Sequence, residues 1–343
     1  MSNLAQNRQL LRDMMSHDRK GCLIGAAAEL DFFAELALSP QTAASLTALQ
    51  KTDLRATVML LDALTAIGIL AKKSDPSGDT SPAVYEIRSE FRELLSPDHP
   101  ETFLPMILHH MNYLRDWTQL ARITQNGKPF PKQPSLRGEA EDFRSFILAM
   151  NSIAVTLAEP VTQKLQEAGL TNFTHLLDVG GASGTYTRAF LKINPAAQAT
   201  LFDVPPAIAE AKAKFAGTEF ENRVTLVAGN FYEDPLPYGA DFAWVSAIIH
   251  QFNREKNTQL YQKVAAALVP GGMIAIRDHV LHADRVSPVE GVLFSINMLV
   301  ETECGMCFTF DEIREDLETA GFREVRLAIP TEDMNTIVTA IKK

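Results

Sequence analysis

Across the carboxyl-terminal half of the chain, short apolar runs rich in Val, Ile, Leu and Phe alternate with stretches of helical periodicity. The runs lie at His175 to Val179, Ala199 to Phe202, Val224 to Ala228, Asp241 to Ser246, Met273 to Val280, Glu324 to Ile329 and Thr336 to Ile341, and predict seven strands. Between them, apolar residues recur at helical spacing, as at Leu260, Val264, Ala267 and Leu268, where Pro270 and Gly271 are expected to stop the helix. This pattern predicts an α/β fold, a twisted sheet with helices on both faces and a ligand site at the carboxyl ends of the strands, near the point where strand order reverses. The last two strands follow a single long helix, Asp311 to Ala320, and sit close together.

The amino-terminal half reads differently. Helices are predicted at Asn3 to Met15, Gly21 to Glu35, Gln41 to Gln50 and Asp53 to Ile67, with Gly68 as a stop. Strands Ile69 to Lys72 and Val84 to Ile87 then flank the polar segment Lys73 to Pro82, which has the composition of a wing. Helical stretches Thr102 to Ile123 and Glu139 to Glu159 are separated by the proline-bearing loop Gly127 to Gly138, and Pro160 is expected to begin a new turn. The expected organisation is therefore a winged-helix domain over residues 1–100, a helical connector over 101–165 and an α/β domain over 166–343.

Leu176 to Thr185 reads LLDVGGASGT, a strand ending in a glycine-rich turn before a helix over Tyr186 to Ile193. Gly180, Gly181 and Gly184 let the backbone turn tightly and approach a ligand. About 20 residues further on, the second strand ends in Asp203, which is placed to accept hydrogen bonds from both hydroxyls of a ribose.

From about Ala140 to Lys343 the chain resembles the S-adenosylmethionine-dependent small-molecule O-methyltransferases, through LLDVGGASGT, LFDVP at Leu201 to Pro205, GNFYEDPLP at Gly229 to Pro237, WVSAIIHQF at Trp244 to Phe252 and LVPGGMIAIRDHVL at Leu268 to Leu281. The resemblance implies a Rossmann-like methyltransferase sheet with an antiparallel ending. It also implies S-adenosylmethionine as cofactor, with Asp178, Gly180, Gly181, Gly184 and Ser246 lining it, Asp203 at the ribose, and Asn230 and Phe231 bracketing the adenine. The family usually has aspartate where this chain has Asn230, whose amide oxygen still accepts from an adenine amino group. It implies further that the winged-helix domain serves dimerisation, so that the partner is a second copy. A small-molecule acceptor is expected against His110, Trp117, Phe146, Met150, Asn297, Met298 and Cys307. Several of these are Phe and Met at helical spacing, which suits core packing as well as a plastic pocket for a flat ring.

The fourth strand runs out at His250, on the ligand-facing rim of the sheet. A phenol with a pKa near ~10 gives up its proton reluctantly at neutral pH, and an imidazole with a pKa near ~6.5 is a suitable base. His250 matches the family's catalytic histidine. The competing reading is a cap on the next helix, a role open to Asn253 as well. Asp278, at the end of the fifth strand, matches the first of two acids flanking that histidine and would pin its other nitrogen. The second acid is missing: Cys307 of Cys304-Gly305-Met306-Cys307 stands in its place, and Gln251 replaces a common aspartate. These departures keep open a C- or N-methyltransferase, or a member that retains the cofactor without transferring a methyl group. The cysteine pair lacks a second Cys or His pair at ligand spacing, so no metal is expected.

Composition narrows the alternatives. The chain has 343 residues, 46% hydrophobic and 22% charged, with a formal net charge of -10, which opposes nucleic acid or an anionic membrane as partner. A helix-turn-helix with a wing invites a DNA-binding regulator that senses a ligand. However, Leu54, Val58, Leu61 and Thr65 are expected to form a buried stripe, and Lys51, Asp53, Arg55 and Asp62 nearly cancel, where a recognition helix needs surplus positive charge. No apolar run is expected to span a bilayer, and Met1 to Asp13 is too polar for a secretory signal. Three cysteines make no disulfide framework, as expected of a cytoplasmic protein.

Overall fold

The computed structural model describes residues 3–16, 18–73 and 82–343. Its contacts divide the chain into two units, residues 1–118 with 132–152, and residues 119–131 with 153–343. The segment 101–165, expected as a connector, is therefore shared between them. The tip of the expected wing, residues 74–81, lies outside the described residues.

The first unit opens with α1 (Asn3–Ser16), α2 (Asp18–Glu29) and α3 (Phe32–Leu38). One helix was expected over Gly21 to Glu35, but Asp31 takes a left-handed φ of 55° between α2 and α3. Its carboxylate pairs with Arg137, and Glu29 pairs with Arg115. Next come β1 (Gln41–Thr42), α4 (Ala43–Gln50), α5 (Leu54–Ala66), β2 (Leu70–Lys73) and β3 (Val84–Ile87), the strands ordered β1-β3-β2. The Thr42 and Asp53 side chains cap α4 and α5 by accepting from the Ser45 and Ala56 N–H groups.

The expected stripe on α5 is shifted. Leu54 is 50% exposed, and the buried residues are Thr57, Leu61 and Leu64, spaced four and three apart to face Phe32, Phe33 and Leu46. Asp62 accepts from Lys72 Nζ and Tyr85 Oη, both at 2.7 Å, so its charge ties α5 to the strand pair.

Beyond α6 (Leu104–Trp117) and α7 (Leu120–Asn126), α8 (Glu139–Glu167) continues through Pro160. Ala158 and Val161 on either side of the proline, and Leu165 beyond it, are buried, and this packing holds the helix across a residue that contributes no N–H. Continuous through the proline, α8 is long and apolar enough by length and composition alone to cross a membrane, although, as expected, its apolar residues form no long uninterrupted run.

The second unit is built on β4 (His175–Val179), α9 (Thr185–Ile193), β5 (Gln198–Asp203), α10 (Pro205–Phe215), β6 (Val224–Ala228), β7 (Ala240–Ser246), α11 (Arg254–Ala267), β8 (Leu268–Asp278), β9 (Val280–Leu281), α12 (Val289–Glu301), β10 (Phe308–Thr309), α13 (Phe310–Thr319), β11 (Phe322–Ile329) and β12 (Thr336–Lys342). All seven predicted strands join one sheet, ordered β11-β12-β8-β7-β4-β5-β6, in which β12 runs opposite to the other six. The chain passes β4, β5 and β6 on one side and returns through β7 on the other, so strand order reverses beside β4.

Alternate residues build two cores. Leu177, Val179, Val245, Ile274 and Ile276 face α11 and α13, whereas Leu176, Phe242, Trp244 and Ala275 face α9 and the second half of α8. The α11 helix stops at Ala267, ahead of the expected Pro270-Gly271, because Leu268 turns extended and pairs with Ala240 at once.

Candidate active site

After β4 the chain reverses through Gly180 (φ +70°), Ala182 (φ 49°) and Gly184 (φ +79°). A Cβ at Gly180 would lie 2.6 Å from Ile248 Cδ1, and one at Gly184 would lie 2.4 Å from the buried Phe215 ring. Glycine is thus required here by both backbone angle and packing. Asp203, ending β5, faces this turn. Its Oδ2 accepts from the Ala182 N–H at 2.8 Å and its Oδ1 from the Val204 N–H at 2.6 Å. A carboxylate has about four acceptor positions, so two remain for a diol. Burial pushes Asp203 above the usual carboxylate range against the pull of these N–H groups. Burial also drives Asp178 up to about 7, although the Thr187 hydroxyl donates to it at 2.6 Å.

At the β6 end, Asn230 shapes its own turn: Oδ1 accepts from the Tyr232 N–H at 3.0 Å, and its N–H donates to Asp234 Oδ2 at 2.8 Å. Phe231 packs on the core beside Gly180. Ser246, ending β7, accepts from Arg277 Nη1 at 3.1 Å.

Past Ser246, Ala247 takes a φ of 56° and a single 3-10 turn, Ile249–Gln251, carries His250. Asn257 anchors this turn by donating its Nδ2 to the Ile249 carbonyl at 2.7 Å. His250 Nδ1 lies 2.7 Å from Asp278 Oδ1 and 3.0 Å from Oδ2, with both residues buried. Asp278 also accepts from the His279 N–H at 2.8 Å. Burial alone would raise the Asp278 carboxyl, but the adjacent His250 outweighs it and holds the group below its usual range. The His250 ring meets the edge of Phe294 on α12 at 4.9 Å. Asn253 caps α11 by accepting from the Lys256 N–H at 3.0 Å, so the capping role weighed for His250 is taken.

Asn297 and Met298 lie buried on α12, and Cys307 is buried beyond it, its N–H donating to Ser295 Oγ at 3.0 Å. Burial pushes the Cys307 thiol up to about 12, so it stays neutral and supplies no negative charge at the position where the resemblance places a carboxylate. Among the described residues, no cluster of three or more His, Cys, Asp or Glu could hold a metal. The other expected acceptor residues belong to the first unit. His110 stacks on Tyr113, which stacks on Trp117, while Phe146 and Met150 lie exposed on α8.

Sequence reasoning passed over Gly305, Asn257 and Arg277. The signal for Arg277 was a cation inside the apolar run MIAIRD, next to an acid. Asn257 and Gly305 carried no local signal.

Residues 132–323 match the O-methyltransferase domain family. The chain is 28% identical over 311 residues to the tetracenomycin polyketide synthesis 8-O-methyl transferase TcmO of Streptomyces glaucescens, covering 88% of this chain and 87% of that one. It is 27% identical over 341 residues to the 3-hydroxy-5-methyl-1-naphthoate 3-O-methyltransferase of Streptomyces sahachiroi, covering 97% and 95% respectively. Human N-acetylserotonin methyltransferase, solved in complex with S-adenosylmethionine, shares the fold with a TM-score of 0.77 at 24% identity, over 100% of this chain and 99% of that one. The chain belongs to the O-methyltransferase domain family and is an S-adenosylmethionine-dependent methyltransferase.

Proposed function

We propose that the chain methylates a hydroxyl of a small aromatic or polyketide-like acceptor, with His250 as general base and Asp278 as its positioning partner. The observation that carries this reading is the buried 2.7 Å contact between His250 Nδ1 and Asp278. An ionised Asp278 accepts a hydrogen bond from Nδ1–H, which leaves the Nε2 lone pair free and stabilises the imidazolium once Nε2 has taken the acceptor's proton. When bound, S-adenosylmethionine supplies a methyl group already activated by its sulfonium, so the chain must align the acceptor and remove a proton. The residues at the strand ends suit that cofactor: Asp203 has acceptor positions left for the ribose hydroxyls, and Phe231 offers an apolar wall for the adenine. The acceptor class follows the names of the two relatives that align over most of their length, one acting in polyketide synthesis and one on a naphthoate.

The test is to incubate the protein with S-adenosylmethionine and a panel of hydroxylated naphthoates and polyketide aromatics, and to locate the added methyl by mass spectrometry and NMR. Methyl ethers are expected. Transfer only to carbon or nitrogen, or binding of the cofactor without turnover on any acceptor, would replace the O-methyl reading with the rival that Cys307 in place of the second acid keeps open.

The working form we propose is a homodimer. Leu4, Leu10, Leu11, Met14 and Met15 on α1 are all more than half exposed, and Phe143, Ile147 and Leu148 stand exposed on the first part of α8. Such surface is costly in water and marks an interaction site. Removing residues 1–15 should lower the dimer fraction or the solubility in light scattering. A well-behaved full-length monomer at micromolar concentration would sink the proposal.

A further inference from the structure

Arg277 directly precedes Asp278 on β8, so the two side chains leave opposite faces of the sheet. Asp278 meets His250, whereas Arg277 turns to the face that α9 covers. There its side chain is buried, 4% exposed, and lies 5.6 Å over the Tyr186 ring. Its Nε donates to Asn335 Oδ1 at 2.9 Å and its Nη1 to Ser246 Oγ at 3.1 Å, while Nη2 has no acceptor among the described residues. Both acceptors are neutral. Asp333 feels the Arg277 charge without a direct contact and is linked to it by hydrogen bonds through Asn335, whose Nδ2 donates to it at 2.9 Å. A buried guanidinium without a direct carboxylate contact is expensive to maintain.

Two further donors beside it are unmet. Trp244 Nε1 is shut off from water without a hydrogen-bond partner among the described residues, and Tyr186 Oη, also shut off from water, lies near Ser246 without a hydrogen bond of good geometry; the two rings lie 5.3 Å apart. On the same face, one strand beyond Trp244, stands Asp178, paired in register with that residue. On this face of the sheet the strand ends therefore run from acids, at Asp203 and Asp178, to a cation at Arg277, the Asp278 carboxylate leaving β8 on the opposite face. An anion seats at the β8 end of such a row and is repelled from the β5 end.

We propose that Arg277, with Tyr186 beside it, binds the α-carboxylate of the methionine part of the cofactor. This rests on the cofactor reading above. Because Arg277 is on the sheet face opposite His250 and Asp278, it is assigned to the donor and not to the acceptor. A planar guanidinium suits a carboxylate through paired N–H donors, and Nη2 is the donor still free.

Calorimetry with S-adenosylhomocysteine and its decarboxylated analogue, which keeps the ammonium group, tests the assignment without turnover. Wild type should prefer the carboxylate-bearing ligand by on the order of 10- to 100-fold, the worth of a charge-assisted contact. Arg277→Gln should bring that ratio close to one by weakening only the first ligand. A variant that weakens both equally has lost a structural residue, and the proposal is overturned. Should Arg277→Gln fail to fold, the wild-type ratio decides alone: no preference for the carboxylate overturns the proposal. If wild type binds neither ligand, the cofactor reading itself has failed, an outcome distinct from binding both alike.

Discussion

His250→Ala is expected to lower turnover by roughly 10² to 10⁴, the effect of losing a positioned general base, with the affinity for S-adenosylhomocysteine nearly unchanged. The reasoning is local. A phenol with a pKa near ~10 is almost entirely protonated at neutral pH, and the buried pair of His250 with Asp278 at the β7–β8 rim is the proposed base with its orienting acid. The variant also leaves Asp278 buried with one remaining hydrogen bond, from the His279 N–H. An uncompensated buried charge destabilises the fold, so the melting temperature should fall as well, and turnover must be compared where both proteins are folded. Asp278→Asn should cost less, because the amide oxygen can still accept from Nδ1–H while the stabilisation of the imidazolium is lost. Near wild-type turnover of His250→Ala from about pH 6 to 9 would remove the base role. The acceptor would then arrive ionised, or be a carbon or nitrogen nucleophile.

Much of this rim could be read from the chain because parallel strands buried on both faces leave near-continuous apolar runs. Once Asp241 to Ser246 and Met273 to Val280 are strands, His250 and Asp278 follow as residues at adjacent strand ends. Helix limits were less legible, since tertiary contacts override local signals. Asp31 breaks a helix that its neighbours would continue, under an ion pair with Arg137, more than a hundred positions away. Pro160 fails to break one, because apolar residues on both sides are packed. Leu54 looked buried by spacing but faces outward, because the core meets α5 one residue round the helix, at Thr57 and Leu64. Arg277 was hidden for a related reason: a charge in a strand reveals its face only when the partner strands are known.

Gly305→Ala is expected to lower kcat by roughly 10- to 100-fold, as when a reacting group shifts by about 1 Å, without weakening the cofactor. Gly305 has a φ outside the left-handed region, so an alanine meets no backbone penalty there, and the effect is steric. The added Cβ would sit 2.5 Å from the His250 carbonyl oxygen, 2.5 Å from Thr302 Oγ1 and 2.9 Å from the Gln251 carbonyl carbon. Two of these are main-chain atoms of the turn that carries the base. That turn is fixed from beneath by Asn257, which donates to the Ile249 carbonyl at 2.7 Å. The 302–307 loop is fixed too, through Gly305 N–H to Thr302 Oγ1 at 2.8 Å and Cys307 N–H to Ser295 Oγ at 3.0 Å. Neither side yields without breaking a hydrogen bond, and a displaced turn pulls His250 Nδ1 away from Asp278. Gly127→Ala is the matched control: its φ is +68° with nothing within 4 Å of the added Cβ, so it should cost about 1 kcal/mol of stability through strain and leave kcat alone. Steady-state kinetics and melting curves on the two variants separate the cases. If Gly305→Ala keeps wild-type kcat, the 302–307 loop only lines the site and does not hold the base in place.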